Sequence, residues 1–157
     1  MTGFFLVKTE PDVFSYDDLE RLGSTLWDGV RNYQARNHLR SMRLGDRVLV
    51  YHSNANPPGV VGIASVSGEH EPDPTQFDPS SAYFDPGSSE NDPRWSAVRL
   101  TPLRHLRPVP LETLRALPEL AGSRLVAKGN RLSVLPLTPE EYDAIVDAGS
   151  TVNDPRQ

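Results

Sequence analysis

The strongest constraint on the fold is the spacing of five short apolar runs, at residues 4–7, 47–52, 60–66, 95–100 and 132–135. Each is rich in branched or aromatic residues and too short for an amphipathic helix, so each reads as a strand. They do not alternate with helices as repeated strand–helix–strand units would. The pattern predicts an α+β fold: a small, twisted, mixed or antiparallel sheet, curled into a barrel, with flanking helices at its ends. The helices carry their own punctuation. Ser15 and Asp18 form a capping box, Phe14 is placed to staple onto Leu19, and Gly23 stops the first helix. Asn32 caps a second helix that runs to about Arg43 behind a stripe of Ala35, Leu39 and Met42. A third follows Pro110 over 111–117. Thr138, Pro139 and Glu141 start the last, with Leu137 and Tyr142 at its staple positions. The joint at 53–59 is too long for a tight hairpin turn, and Gly62 within a strand marks a close approach by another backbone or a ligand.

The chain has 157 residues, one domain's length, read as 1–150 with a polar, frayed tail at 151–157. A chain of this size folds without a metal or disulfide. It contains no cysteine, so thiol nucleophiles, disulfides and cysteine-based metal sites are excluded. No metal or cofactor is expected. With 16 Lys+Arg against 21 Asp+Glu the net charge is −5. That excludes a generally basic nucleic-acid coat protein, and any contact with a polyanion needs a local patch. The N-terminus lacks a basic leader, and nothing nears the ~20 apolar residues of a membrane span. A soluble, cytoplasmic monomer is expected. Fourteen of the 16 basic residues are Arg and there are 15 prolines, the bias of a GC-rich, bacterial genome rather than a sign of function.

Charge is unevenly placed. Arg31, Arg36, Arg40, Arg43 and Arg47 face only Asp46 within residues 31–47, and Arg suits bidentate phosphate contact. Residues 67–94 hold seven acidic residues, five prolines and one basic residue, Arg94. The arginines are therefore either a phosphate-binding face or a helix face answered by this acidic stretch. The aromatics Phe77, Tyr83 and Phe84 make the stretch an ordered loop.

Polar triplets follow two strands: Lys8-Thr9-Glu10 and Tyr51-His52-Ser53. With Trp27 and Tyr83 they could line a site that hydrogen-bonds the edge of a heterocycle and stacks its face. The alternative is that Trp27 belongs to the core and Lys8 pairs with Glu10 on the surface. A catalytic arrangement is poorly supported. His52 and Ser53 are adjacent on a strand and point to opposite faces, so they make a poor base and nucleophile even with Asp28 and Glu10 available. There is no G-x-S-x-G elbow, no Gly-rich phosphate loop, and no paired metal spacing among His38, His52, His70 and His105.

Several blocks resemble the EVE domain, a member of the PUA-like superfamily related to YTH domains. They are Phe5-Leu-Val-Lys-Thr-Glu-Pro11, Trp27-Asp-Gly-Val-Arg-Asn-Tyr-Gln-Ala-Arg-Asn37, Tyr51-His-Ser-Asn54, Gly59-Val-Val-Gly-Ile-Ala64, Tyr83-Phe-Asp85, Pro93-Arg-Trp95 and Arg131-Leu-Ser-Val134. They fall in the family's order and span about residues 4–148; Thr9 stands where Ser is commoner. The resemblance implies a twisted barrel-like sheet and a pocket for a modified nucleobase, such as a modified cytosine in DNA or a modified base in RNA. It implies Trp27 as one cage wall, Lys8 and Thr9 at the pocket edge, and Tyr83 as the second wall in preference to Phe84 or Trp95. Asn32, Gln34, Tyr51, His52 and Ser53 follow as pocket or rim residues; Glu10 joins them from the polar triplet, and the charge asymmetry gives Arg31, Arg36, Arg40 and Arg43 the role of holding phosphates. The reading is a non-catalytic reader that relies on a separate effector protein. Its rivals are a nucleic-acid hydrolase of the kind suspected among ASCH domains, with His52 or Glu10 as base, and a sensor of a free nucleotide.

Overall fold

The computed structural model describes residues 2–150, and the tail expected at 151–157 lies outside them. The elements run β1 (Phe4–Thr9), α1 (Tyr16–Leu22), β2 (Thr25–Trp27), α2 (Tyr33–Ser41), β3 (Arg47–His52), β4 (Gly59–Pro72), β5 (Ser96–Pro110), α3 (Leu111–Ala116), β6 (Val134–Leu137) and α4 (Pro139–Gly149). Short 3-10 turns lie at Pro74–Phe77, Pro118–Leu120 and Arg124–Val126.

All six strands join one sheet in the order β2-β5-β4-β3-β1-β6. β1 is parallel to β3, and the other neighbours are antiparallel. The sheet is mixed and curled, but β2 and β6 are free edges, so the expected barrel does not close. Helix α2 packs against both β5 and β6, four places apart in the order, which places it inside the curl. The curvature comes from repeated register shifts between β4 and β5, at Val60/Gly62, Ile63/Ala64, Val66/Gly68 and Gly68/Glu71. Each shift adds local twist.

These irregularities explain two differences from the sequence reading. The strand expected at 95–100 is 15 residues long, because Pro102 falls opposite a register shift, where a missing N–H is tolerated. The three-residue strand β2 is too short to show a period of its own. The caps agree with expectation. Ser15 and Asp18, and Thr138 and Glu141, form reciprocal capping boxes. Asn32 Oδ1 accepts from the Ala35 N–H at 2.9 Å. Helix α2 stops at Ser41, so Arg43 lies beyond it.

The core begins with Phe5-Leu6-Val7 of β1 and Val48-Leu49-Val50 of β3, buried without alternation as in strands covered on both faces. Tyr16 anchors α1 to the bulged region. Its ring takes the space that a Cβ on Gly62 would need, so only glycine fits. Its hydroxyl lies 2.6 Å from the Ile63 carbonyl and 2.9 Å from the Arg104 carbonyl, bridging β4 and β5. Among the described residues no helix is long and apolar enough to cross a membrane.

Burial, aided by Glu20, pushes the Tyr16 phenol up to about 12. A raised folded-state value means stability that is complete below the unfolded value, near 10, and is lost as pH rises through the folded one. Tyr16→Phe is expected to lower unfolding free energy by about 1–3 kcal/mol at neutral pH, because it strands buried carbonyls. The gap between the two proteins should narrow between pH 10 and about 12, measured by urea denaturation across that range.

Candidate functional site

The end of β1 and the end of β2 open onto one cavity of about 880 Å³, within the range of small-molecule sites. β1 contributes Lys8 and Thr9, with Glu10 following. β2 contributes Thr25, Leu26 and Trp27, and the turn after it Asp28, Gly29 and Val30. The acidic loop adds Tyr83, and the strap before β6 adds Asn130, Arg131 and Ser133. Trp27 is 7% exposed and is both core and cavity wall, with Phe14 edge-on to it at 5.9 Å. The two readings of Trp27 are therefore not exclusive. Tyr83, 40% exposed, supplies a second aromatic surface.

The loop that delivers Tyr83 is pinned by a buried ion pair. Asp73 has a fully buried side chain and accepts from Arg31 Nη1 at 2.9 Å and from the Gly29 N–H at 2.8 Å through Oδ2. Its Oδ1 takes the Thr75 hydroxyl at 2.6 Å and the Thr75 N–H at 2.8 Å. Burial alone would raise this carboxyl, but the hydrogen bonds from Thr75, Gly29 and Arg31 outweigh it and hold it below the usual range. Gly29 has φ +81°, and a Cβ there would meet the Tyr83 ring at 2.9 Å, so the Trp27-Asp28-Gly29 turn requires glycine twice over.

The rest of the loop is equally well satisfied. Buried Gln76 donates to the Asp73 and Trp95 carbonyls and accepts from Ser88 Oγ and the Trp95 N–H. Asp85 accepts from Trp95 Nε1 at 2.7 Å and Arg94 Nη1 at 3.0 Å. Trp95 is thus a buried strut, stacked on Tyr33 with centroids 4.9 Å apart, and does not line the cavity; nor does Phe84.

Other expected site residues are placed elsewhere. Asn32 is spent on its helix cap, and Gln34 is exposed on α2 away from the cavity lining. Tyr51 is a core residue with Lys8 Nζ 5.2 Å from its ring centroid. His52 Nε2 accepts from the Tyr16 N–H at 3.1 Å and so satisfies a donor at the start of α1. Burial, reinforced by His105, lowers its pKa in spite of Asp17. With its lone pair taken, His52 is not placed as a general base. Lys8 and Glu10 do not pair: the Glu10 carboxylate takes Asn54 Nδ2 at 3.1 Å. Ser53 does line the cavity.

The arginines separate into three roles. Arg31 is not a phosphate ligand, because five hydrogen bonds use its five donors: to the Tyr83 carbonyl from Nε and Nη2, to the Val30 carbonyl, to Asp73 and to Thr75. Arg36 and Arg40 reach the Arg94 carbonyl and Ser96 Oγ respectively, at 3.0 and 2.8 Å, yet both still line a second, polar hollow of about 360 Å³ with Arg94 and Tyr33. Arg43 is exposed and outside that hollow.

The residues that sequence reading missed are Asp28 and the 130–133 strap. Asp28 belongs to the Trp27–Asn37 block, but in the sequence it stands out only as a carboxylate available to His52 and Ser53. The strap joins the site through β6, which pairs with β1. Distant from the cavity residues in sequence, Asp17, Glu20 and His105 meet on the surface, with His105 Nε2 2.8 Å from each carboxylate.

A profile of the EVE domain matches residues 3–148. Over 170 residues the chain is 39% identical to mouse thymocyte nuclear protein 1, an alignment covering 96% of this chain and 75% of that protein. Its structure matches that of the human THYN1 protein in complex with 5-methylcytosine containing DNA, with TM-score 0.91, 37% identity, and 96% of this chain and 99% of that one covered. A protein from Pseudomonas syringae matches with TM-score 0.90 and 43% identity, over 92% and 98% of the two chains. The chain belongs to the EVE domain family.

Asp73→Asn should cost about 3–5 kcal/mol by leaving the Arg31 charge without its buried partner. The depressed pKa of Asp73 means that its stabilisation is present above the unfolded value, about 3.9, and is lost as pH falls below it. Denaturation curves of the two proteins should therefore converge in acid; an equal gap at pH 7 and pH 2 would contradict the assignment.

Proposed function

We propose that this chain is a non-catalytic reader of modified cytosine in DNA, taking the base into the cavity between Trp27 and Tyr83. The observation that carries this reading is the cavity itself: two aromatic side chains beside Lys8, an ammonium with no carboxylate partner among the described residues. The human relative's complex with 5-methylcytosine containing DNA supports the choice of nucleic acid.

The chemistry follows from the lining. Stacking a base on an aromatic ring contributes about 1–3 kcal/mol and is blind to base identity. Burying one methyl adds about 0.8 kcal/mol, roughly fourfold over unmodified cytosine. Lys8, whose pKa is lowered by burial, offers N–H donors to a base carbonyl or a flanking phosphate. The hollow lined by Arg36, Arg40 and Arg94 offers donors to the backbone. Extracting a base from a duplex costs a few kcal/mol, so single strands are the easier target.

Fluorescence anisotropy with a labelled single-stranded oligonucleotide carrying one 5-methylcytosine tests the reading. Trp27→Ala should weaken binding roughly fivefold to 150-fold. Trp27→Phe, which keeps a packed ring, should lie between the two with little change in melting temperature. Undiminished binding by folded Trp27→Ala would place the base elsewhere. Arg36→Gln should weaken all sequences alike and flatten the log–log salt slope by about 0.7 if it releases one phosphate of a single strand. Prolonged incubation with and without a divalent metal should leave the oligonucleotide intact, whereas cleavage would make the chain a hydrolase.

A further inference from the structure

Aromatic walls and a methyl contact leave one question open. Thymine carries the same 5-methyl group as 5-methylcytosine and stacks as well, so a cavity built only from Trp27 and Tyr83 would not separate them. The two bases differ at C4 and N3, on the edge next to the 5-methyl group rather than on the faces that the aromatic walls touch. Cytosine presents an exocyclic amine, a donor, beside the unprotonated ring N3. Thymine presents a carbonyl oxygen there, beside N3–H.

The cavity holds a carboxylate suited to that difference. Asp28 lines it directly after Trp27. Its neighbours Gly29 and Arg31 are both committed to Asp73, which leaves the Asp28 side chain without a guanidinium or ammonium bound to it. Lys8, which lines the cavity together with Glu10, Arg31 and Arg131, makes no ion pair with Asp28 within 4.0 Å, and its Nζ lies 5.2 Å from the Tyr51 ring centroid. Opposite charges therefore share one chamber without neutralising each other. Asp28 is an exposed residue of the lining; partial desolvation, and then the nearby Asp73 carboxylate, raise its pKa against the opposing pull of its own backbone N–H and of Arg31. A carboxylate has about four acceptor positions; that of Asp28 takes its own backbone N–H, and a remaining position gains from a neutral N–H donor delivered by a ligand and loses where a ligand brings a carbonyl oxygen.

We propose that Asp28 is the specificity-determining residue of the cavity: its carboxylate accepts from the exocyclic amine of a cytosine ring and excludes thymine. Lys8 supplies the complementary donor to the ring carbonyl that both bases share. This rests on the base-reader reading above and adds to it the polar edge that the site recognises.

The test uses three single-stranded oligonucleotides that differ at one position: 5-methylcytosine, thymine or cytosine. The wild-type protein should prefer 5-methylcytosine to thymine by roughly tenfold to a hundredfold, and to cytosine by the much smaller methyl increment. Asp28→Asn is isosteric and can present either an oxygen or an N–H, so it should bind 5-methylcytosine and thymine within about twofold of each other. Asp28→Ala should lose the preference from both sides, weakening 5-methylcytosine and binding thymine more tightly than the wild-type protein does. If Trp27 is needed for binding yet Asp28→Asn keeps the full preference, Asp28 is not the discriminating group and the base-reader reading stands without it. If wild-type protein binds neither methylated base in a Trp27-dependent way, both proposals fall. A fully retained melting temperature in Asp28→Asn keeps a loss of preference from being a folding effect.

Discussion

The cavity depends on the ion pair between Arg31 and Asp73. Arg31 follows β2 in a turn and Asp73 follows β4, 42 residues further on. Joining them ties the Trp27-Asp28-Gly29-Val30 turn to the loop that carries Tyr83. Replacing a buried ion pair with apolar residues is often neutral for stability, whereas removing one partner is not. Its value here is positional. The guanidinium fork reaches Asp73, Thr75, and the Val30 and Tyr83 carbonyls at once, and no apolar side chain can hold four groups in fixed relation. The Gly29 N–H completes the joint from the other side, and the missing Cβ of Gly29 lets the Tyr83 ring settle against the turn.

This joint also resolves how an acidic, proline-rich stretch becomes part of a folded domain. Five of its seven carboxylates stay exposed, and two, Asp73 and Asp85, are drawn inward to hold it. Asp73 and Asp85 each collect several donors, and Gln76 satisfies all four of its hydrogen-bonding positions internally. The arginines of α2 close the arrangement from outside. Both alternatives drawn from the sequence therefore describe part of the molecule: Arg31 answers the loop, while Arg36 and Arg40 touch it and still line an open polar hollow.

What could be read in the sequence followed the range of the interaction. Local chemistry was legible. The capping boxes at Ser15 and Thr138, the Asn32 cap and the Gly23 stop each depend on residues within one helical turn, and each is present. Motif blocks located Lys8, Thr9, Glu10, Trp27, Ser53 and Tyr83, which the curled sheet brings to one cavity. Partnership was not legible. Tyr51 and His52 belong to the same strand end as Ser53, but the first is swallowed by the core and the second is taken by the Tyr16 N–H. Sheet closure was misjudged because edge pairing depends on curvature, and the curvature resides in register shifts between β4 and β5 that no single strand reveals. The 130–133 strap reaches the site only through the pairing of β6 with β1.

A methylated base enclosed between Trp27 and Tyr83 carries a ring-current signature. The most direct measurement is the proton NMR shift of an isotope-labelled 5-methyl group on a cytosine in a single-stranded oligonucleotide, titrated with the protein. Enclosure between two aromatic rings predicts a saturable upfield ring-current shift that disappears when Trp27 is replaced by alanine in a folded protein. Saturable binding that leaves the methyl resonance where it stands in the free oligonucleotide would contradict the account, since the base would then lie outside the aromatic walls.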